Sequence, residues 1–264
     1  MILRALLVIA SGFIFIFSPG LPMNLISRYS PEYERDLVYW GIGAWLISLL
    51  PGLFFQSLFR QIIYQGQSNA GFSGRPLDFA VLFLNALLSG LFLGVAMLLV
   101  LRYKRNKNPD EDVTINGLAL GFGAGLVAQV FTGITLVGAG FQVLFGNTTA
   151  NITVEAIAES PLGLLLASLA ALIVFRIALL SVSAVQGFLT ARSVLERKGQ
   201  FWAGVLIYTG FTGLLLTLHL IMGETIPGRV SVGLTPPWVS VATIIYYLIA
   251  FLAAYRWLSK KLQS

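Results

Sequence analysis

Residues 117–133 read GLALGFGAGLVAQVFTG, a stretch in which glycine keeps recurring inside an otherwise apolar run. Its core, GFGAG, resembles a glycine loop that cradles phosphate. Such a loop follows a strand and leads into Lys and then Ser or Thr, and neither is found beside it. Gly117, Gly121, Gly125 and Gly133 instead recur at steps of four residues, with Gln129 in the vacant place. On a helix this spacing predicts one stripe of small residues, against which a second helix packs backbone to backbone. The stretch therefore reads as helix, and the chain as an all-α protein.

The rest of the sequence extends that reading into a bilayer. Of 264 residues, 57% are hydrophobic and 11% charged, and the mean hydropathy is +0.84, outside the range of ordinary soluble domains. Crossing about 30 Å of hydrocarbon takes roughly 20 apolar residues. Runs of that kind lie near 2–18, 38–63, 79–102, 115–145, 161–191, 201–222 and 238–259. The expectation is a polytopic bundle of about seven transmembrane helices forming a single integral-membrane domain, 1–264. The first run is short enough to be a signal-peptide core. However, Ser18-Pro19-Gly20-Leu21-Pro22 offers no small-x-small cleavage site and only Arg4 precedes the run, so it is kept as a span. With no cysteine in the chain, disulfides, thiolate metal sites and cysteine nucleophiles are excluded.

Charge sets the expected orientation. Arg28, Arg35, Arg102, Lys104, Arg105, Lys107, Arg192, Arg197, Lys198, Arg256, Lys260 and Lys261 fall on one side, against Arg4, Arg60, Arg75 and Arg229 on the other. By the positive-inside rule the N-terminus lies outside and the C-terminus in the cytoplasm, the membrane being a bacterial cytoplasmic (plasma) membrane. The net charge of +6 is accounted for by basic residues meeting anionic lipid headgroups, and nucleic acid is not expected as a partner. The outer loop 146–160 carries Glu155 and Glu159 and two glycosylation-type triplets at Asn147 and Asn151. Within it TVEAIAES predicts a helical turn or two, ended by Ser160-Pro161. Trp40, Trp238 and Trp257, with several tyrosines, cluster near span ends as an aromatic belt does.

Buried charge is the test for membrane chemistry, because ionisable groups at depth are costly. None of the eleven acids falls within the apolar core of a span, and the one histidine, His219, lies toward a span end, where it reads as a hydrogen-bonded rim residue. A catalytic zinc takes three protein ligands, which these residues do not gather, so no metal or other cofactor is expected. Ser181 and Ser183 have no partner base that the sequence identifies. Arg176, midway along its span, is the one deep charge; Asn85, Gln129, Gln142 and Gln186 are the amides available to solvate it. It reads first as a structural hydrogen-bond hub and second as an anchor for an anionic substrate.

The order of these features resembles the YhfC family, which is read as intramembrane metalloproteases related to the PrsW group, along nearly the whole chain. The family's Ala-Gly-x-x-Glu-Glu stretch aligns with Ser89-Gly90-Leu91-Phe92-Leu93-Gly94, and its Gly-His-Gly-Gly-x-Glu motif with Gly121-Phe122-Gly123-Ala124-Gly125-Leu126. A family Glu-Arg followed by a His aligns with Phe175-Arg176 and then Ser181 and Ser183; a last His falls near Tyr208. The resemblance implies that Leu93, Gly94, Phe122, Leu126, Phe175, Ser183 and Tyr208 mark a former active site. Glycines and the arginine are kept, whereas each expected Glu or His is replaced.

Metalloprotease chemistry needs a metal to polarise the carbonyl and a carboxylate base. The expectation is thus a membrane pseudoprotease that is no longer an enzyme. Its partners would be the lipid bilayer and another membrane protein or helix, with the apolar remnant of the cleft, beside the small-residue groove, receiving a helix or lipid. A transporter or carrier subunit using Arg176 for an anionic substrate is the alternative, and an active intramembrane protease a second alternative.

Overall fold

The computed structural model describes residues 1–17, 36–49, 53, 58, 75–109, 112–147, 152–159, 161–195, 199–221 and 237–262. Every regular element among them is an α-helix: α1 (Ile2–Phe17), α2 (Asp36–Leu49), α3 (Arg75–Lys107), α4 (Val113–Leu144), α5 (Ile152–Glu159), α6 (Leu162–Leu195), α7 (Gly199–Ile221) and α8 (Pro237–Leu262). Three are long and apolar enough to cross a membrane: α3 from Phe83 onward, α4 and α6. These coincide with the runs expected near 79–102, 115–145 and 161–191. The second expected run is helical over α2, and most of 50–63 lies outside the described residues. So do Arg28, Arg35, Arg60, Arg197, Lys198 and Arg229, the acids Glu32, Glu34, Asp110, Glu111, Glu196 and Glu224, Asn151, and the side chains of Asp78, His219 and Trp238.

Local chemistry sets the helix ends. The Asp112 carboxylate accepts from the backbone N–H groups of Thr114 at 2.8 Å and Ile115 at 3.4 Å, capping α4 at its start. At the other end Gly146 adopts φ of 76°, a left-handed conformation that glycine reaches without a Cβ clash. The Asn147 N–H then reaches back to the Gln142 carbonyl and the Gly146 N–H to that of Val143, closing a Schellman turn. Helix α3 runs beyond its apolar run through Lys104, Arg105 and Lys107, since Lys and Arg are good helix formers and cations favour a helix C-terminus.

The chain folds into two compact units whose boundaries fall inside α4, between Ala124 and Gly125, and inside α6, between Ser181 and Val182. One unit contains α1, the second half of α4, α5, the first half of α6 and α8. Its core joins Ala5, Val8 and Phe15 to Leu136, Ala139 and Val143, and these to Val154, Ile157, Leu165 and Leu169. Val154 and Ile157 are three apart on α5 and share a face, so this short helix is held by its one apolar side. An Arg4 guanidinium N–H donates to the Ala158 carbonyl in the last turn of α5, where the exposed C-terminal carbonyls favour a cation.

The other unit contains α2, α3, the first half of α4, the second half of α6 and α7. Leu37, Leu101, Val113, Ala119, Leu120 and Ala191 form one of its clusters, and Ala44, Leu93, Ala96, Met97 and Ala124 another. Within this unit every residue of α6 from Val182 to Ala191 is buried.

The glycine row of α4 departs from a single straight stripe. Four residues turn a helix through about 400°, so each step drifts by about 40°, and Gly117 and Gly133 lie about 160° apart round the axis. Gly117 accordingly lies against Gly187 and Ala191, and Gly121 against Ser183 and Ala184, all on α6. Gly133 lies against Gly12, Phe15 and Ile16 of α1. Gly125 is buried. A further approach, outside the row, sets Gly123 against Val38 and Gly41 against Leu120 of the facing helix. Gly117, Gly121 and Gly133 are thus each covered by another helix of this chain, on different sides of α4 and not along one stripe.

A methyl group at Gly121 would overlap the Ser183 carbonyl oxygen, a backbone atom that cannot rotate away, whereas one at Gly138 meets nothing within 4 Å. Gly121→Ala should therefore lower stability by about 1–3 kcal/mol, the usual cost of overpacking. Gly138→Ala should be neutral or slightly stabilising. Thermal unfolding of both variants in detergent checks this, and equal midpoints would contradict the packing.

Candidate functional site

The positions expected to mark a former active site are packed. Leu93, on α3, is 2% exposed and lies in the cluster of Ala44, Ala96, Met97 and Ala124, with Tyr208 and Trp45 partly buried against it. One helical turn away Gly90 faces Tyr208, Thr209 and the Val205 carbonyl of α7; Gly94 faces Phe201 and Val205 of α7 and Gln186 of α6. The spacing Gly90-x-x-x-Gly94 explains this closeness, since both glycines present their bare backbone to the same side of α3. Ser183 is buried on α6, its carbonyl against Gly121, and Phe122 is half-buried on α4. Leu126 and Phe175 belong to the other unit. Leu126 is buried, and the Phe175 ring lies 5.0 Å from that of the buried Tyr247.

The polar residues singled out in the spans likewise divide. Gln186 is fully buried, and its Nε2 donates to the Gly90 carbonyl at 2.7 Å, joining α6 to α3. Asn85 is half-buried on α3 in the same unit. Arg176 and Gln129 belong to the other unit, where Gln129 is buried and Arg176 half-buried. The Arg176 guanidinium carbon is 5.2 Å from the centre of the Phe175 ring, a cation–π distance. Gln186 therefore serves Gly90, and an aromatic face stands beside the Arg176 guanidinium.

Among the described residues, no three His, Asp or Glu side chains gather as a metal site would require. The described arrangement offers hydrogen bonding by neutral amides and hydroxyls, and an arginine beside an aromatic ring. Sequence reasoning missed the Gln186–Gly90 bond and the Gly41–Gly123 approach. The pair Gly90 and Gly94 carried a legible small-residue signal, whereas nothing local distinguishes Thr209 from the other threonines of these helices. No protein-family model, curated protein or solved structure matches the chain.

Because Leu93 is enclosed by apolar side chains, a carboxylate there would be buried without a counter-charge, which costs several kcal/mol. Leu93→Glu is expected to cut the yield of folded protein sharply, or to lower its unfolding midpoint by about 10 °C at 2–4 °C per kcal/mol. Leu93→Met, similar in volume, should change it little. A Leu93→Glu variant as stable as the parent in detergent melting would show that this position opens to water.

Proposed function

We propose that this chain is a seven-span membrane protein of the bacterial cytoplasmic membrane, N-terminus outside and C-terminus inside, and a non-catalytic relative of the YhfC-type intramembrane metalloproteases that binds another membrane protein. The observation that carries the non-catalytic reading is the filling of the expected site. Leu93 is enclosed, Gly94 lies against Phe201 and Val205, and the amide beside it is occupied with Gly90. A water-activating metal centre needs an open coordination position and a base, and these residues provide neither.

The membrane reading is supported by exposed apolar faces. Val241, Ile245, Leu248, Leu252 and Tyr255 recur at three- and four-residue steps along α8, all exposed, the pattern of a helix face turned to lipid. Patches of this kind on a protein in water mark interaction surfaces. With the α4 glycines already covered, the surface that best suits a partner helix lies further along α4. Phe131, Ile134, Phe141 and Phe145 are exposed there, and Gly138 leaves a notch among them with nothing within 4 Å. A partner's side chain can enter such a notch.

A second reading, a carrier that engages an anion through Arg176, draws on the half-buried position of that guanidinium. Thermal shifts produced by phosphate or small carboxylates, and lost in Arg176→Gln, would favour it; their absence would leave Arg176 as a structural residue.

The cysteine-free sequence makes orientation directly measurable. Asn147→Cys should react with a membrane-impermeant maleimide on intact cells, and Asn108→Cys only after permeabilisation; the reverse pattern would invert the topology. A photo-crosslinking residue in place of Ile134 should yield a discrete adduct with another membrane protein in native membranes. A lone monomer across mild detergents, with lipid adducts only, would overturn the binding role.

A further inference from the structure

We infer that Gln186 and Thr209 hold an ordered internal water molecule that ties α3, α6 and α7 together. Gln186, on α6, is 0% exposed, and Thr209, on α7, is 1% exposed. The Gln186 amide nitrogen is used by the Gly90 carbonyl. Among the described residues no hydrogen bond reaches the Gln186 Oε1 or the Thr209 Oγ1. A buried donor or acceptor left bare forfeits the bond that water would supply, so native interiors pair nearly all of them.

The Thr209 hydroxyl has passed over the partner that its own helix offers. Thr132, Thr135, Thr190 and Thr212 each donate to the carbonyl four residues back, at 2.8, 2.9, 2.8 and 2.9 Å, the usual recourse of a hydroxyl inside a helix. Thr209 makes no such bond to Val205. Its Oγ1 is turned toward α3, 3.1 Å from where a Cβ on Gly90 would stand. The same glycine carries the carbonyl that receives Gln186, so both bare oxygens belong to side chains that converge on Gly90.

The chemistry of the pair selects the guest. Oε1 only accepts, while the hydroxyl donates or accepts. One water molecule can accept from Thr209 and donate to Gln186, which meets the minimum of two polar partners for buried water. A hard cation takes about six oxygens and favours carboxylates among them, and the two side chains here are neutral. An anion would face the negative end of the amide carbonyl. The inference is independent of the role proposed above and concerns how three helices of one unit are joined.

The test is a crystal structure of the full chain, grown from a lipid mesophase at about 2 Å resolution. A water within about 3 Å of both oxygens is the expected result. Dry oxygens, a direct bond between the two side chains, or a different guest would overturn the proposal. Independently, Thr209→Ser should keep the parent's unfolding midpoint, whereas Thr209→Val should lower it by about 2–4 °C for each bond-sized loss. Gln186→Met should then cost less in the Thr209→Val background than alone, since the shared water is already gone. Additive losses would count against a shared guest.

Discussion

Where Gly121 meets the Ser183 carbonyl and Gly187 meets Gly117, two helix backbones lie against each other with no side chain between them. Much of the unit containing α2, α3 and α7 follows from that contact. Beside that contact, every residue of α6 from Val182 to Ala191 is buried. A helix buried all round cannot sort its residues into an apolar and a polar side. Its polar groups, Ser181, Ser183, Gln186 and Thr190, must therefore find partners inside the protein. Ser181 and Thr190 do so on the carbonyls of Ile177 and Gln186 within their own helix. Gln186 is long enough to leave its helix, and its Nε2 donates to the Gly90 carbonyl of α3.

The helix ends show the same accounting in charged form. The final carbonyls of a helix have no partner within it. In both units an arginine from another helix supplies one: Arg4 of α1 for Ala158 of α5, and Arg105 of α3 for Val194 of α6, the latter at 2.5 Å. A guanidinium suits this role because it stays charged and carries several donors in a fixed plane. Arg4 and Arg105 thus do structural work that a tally of charges by side does not reveal. The same residues that orient a chain across a bilayer can also fasten one helix to the next.

Helices were easy to read because they are written in contiguous residues. The run near 115–145 and the helix Val113–Leu144 differ by one or two residues at either end, and Asp112 and Gly146 are terminators visible in the sequence. At the end of α3 the apolar run stops near Arg102 but the helix continues to Lys107, since hydropathy marks the medium while backbone propensity marks the helix. The faces were less legible. A row of glycines every four residues suggests one groove, yet the 40° drift per step shares it between α6 and α1. The Gln186–Gly90 bond joins residues 96 positions apart, and no local pattern records such a pairing. That Leu93 and Gly94 are enclosed is shown by the packing and by no local pattern of the sequence.

The single deep charge can be understood through the same constraint. From Ala170 to Ile177 no residue of α6 is buried, and from Ala178 to Ala191 all are. Arg176 therefore stands one or two residues short of the segment in which a guanidinium would lose contact with its surroundings on every side. At its actual place it remains half-buried, with the Phe175 ring 5.2 Å away and that ring in turn packed on Tyr247. An aromatic face offers a cation electrostatic stabilisation without introducing a counter-charge that would itself need solvation. Arg176, beside its ring, thus stands two residues before the stretch of α6 that is buried without interruption.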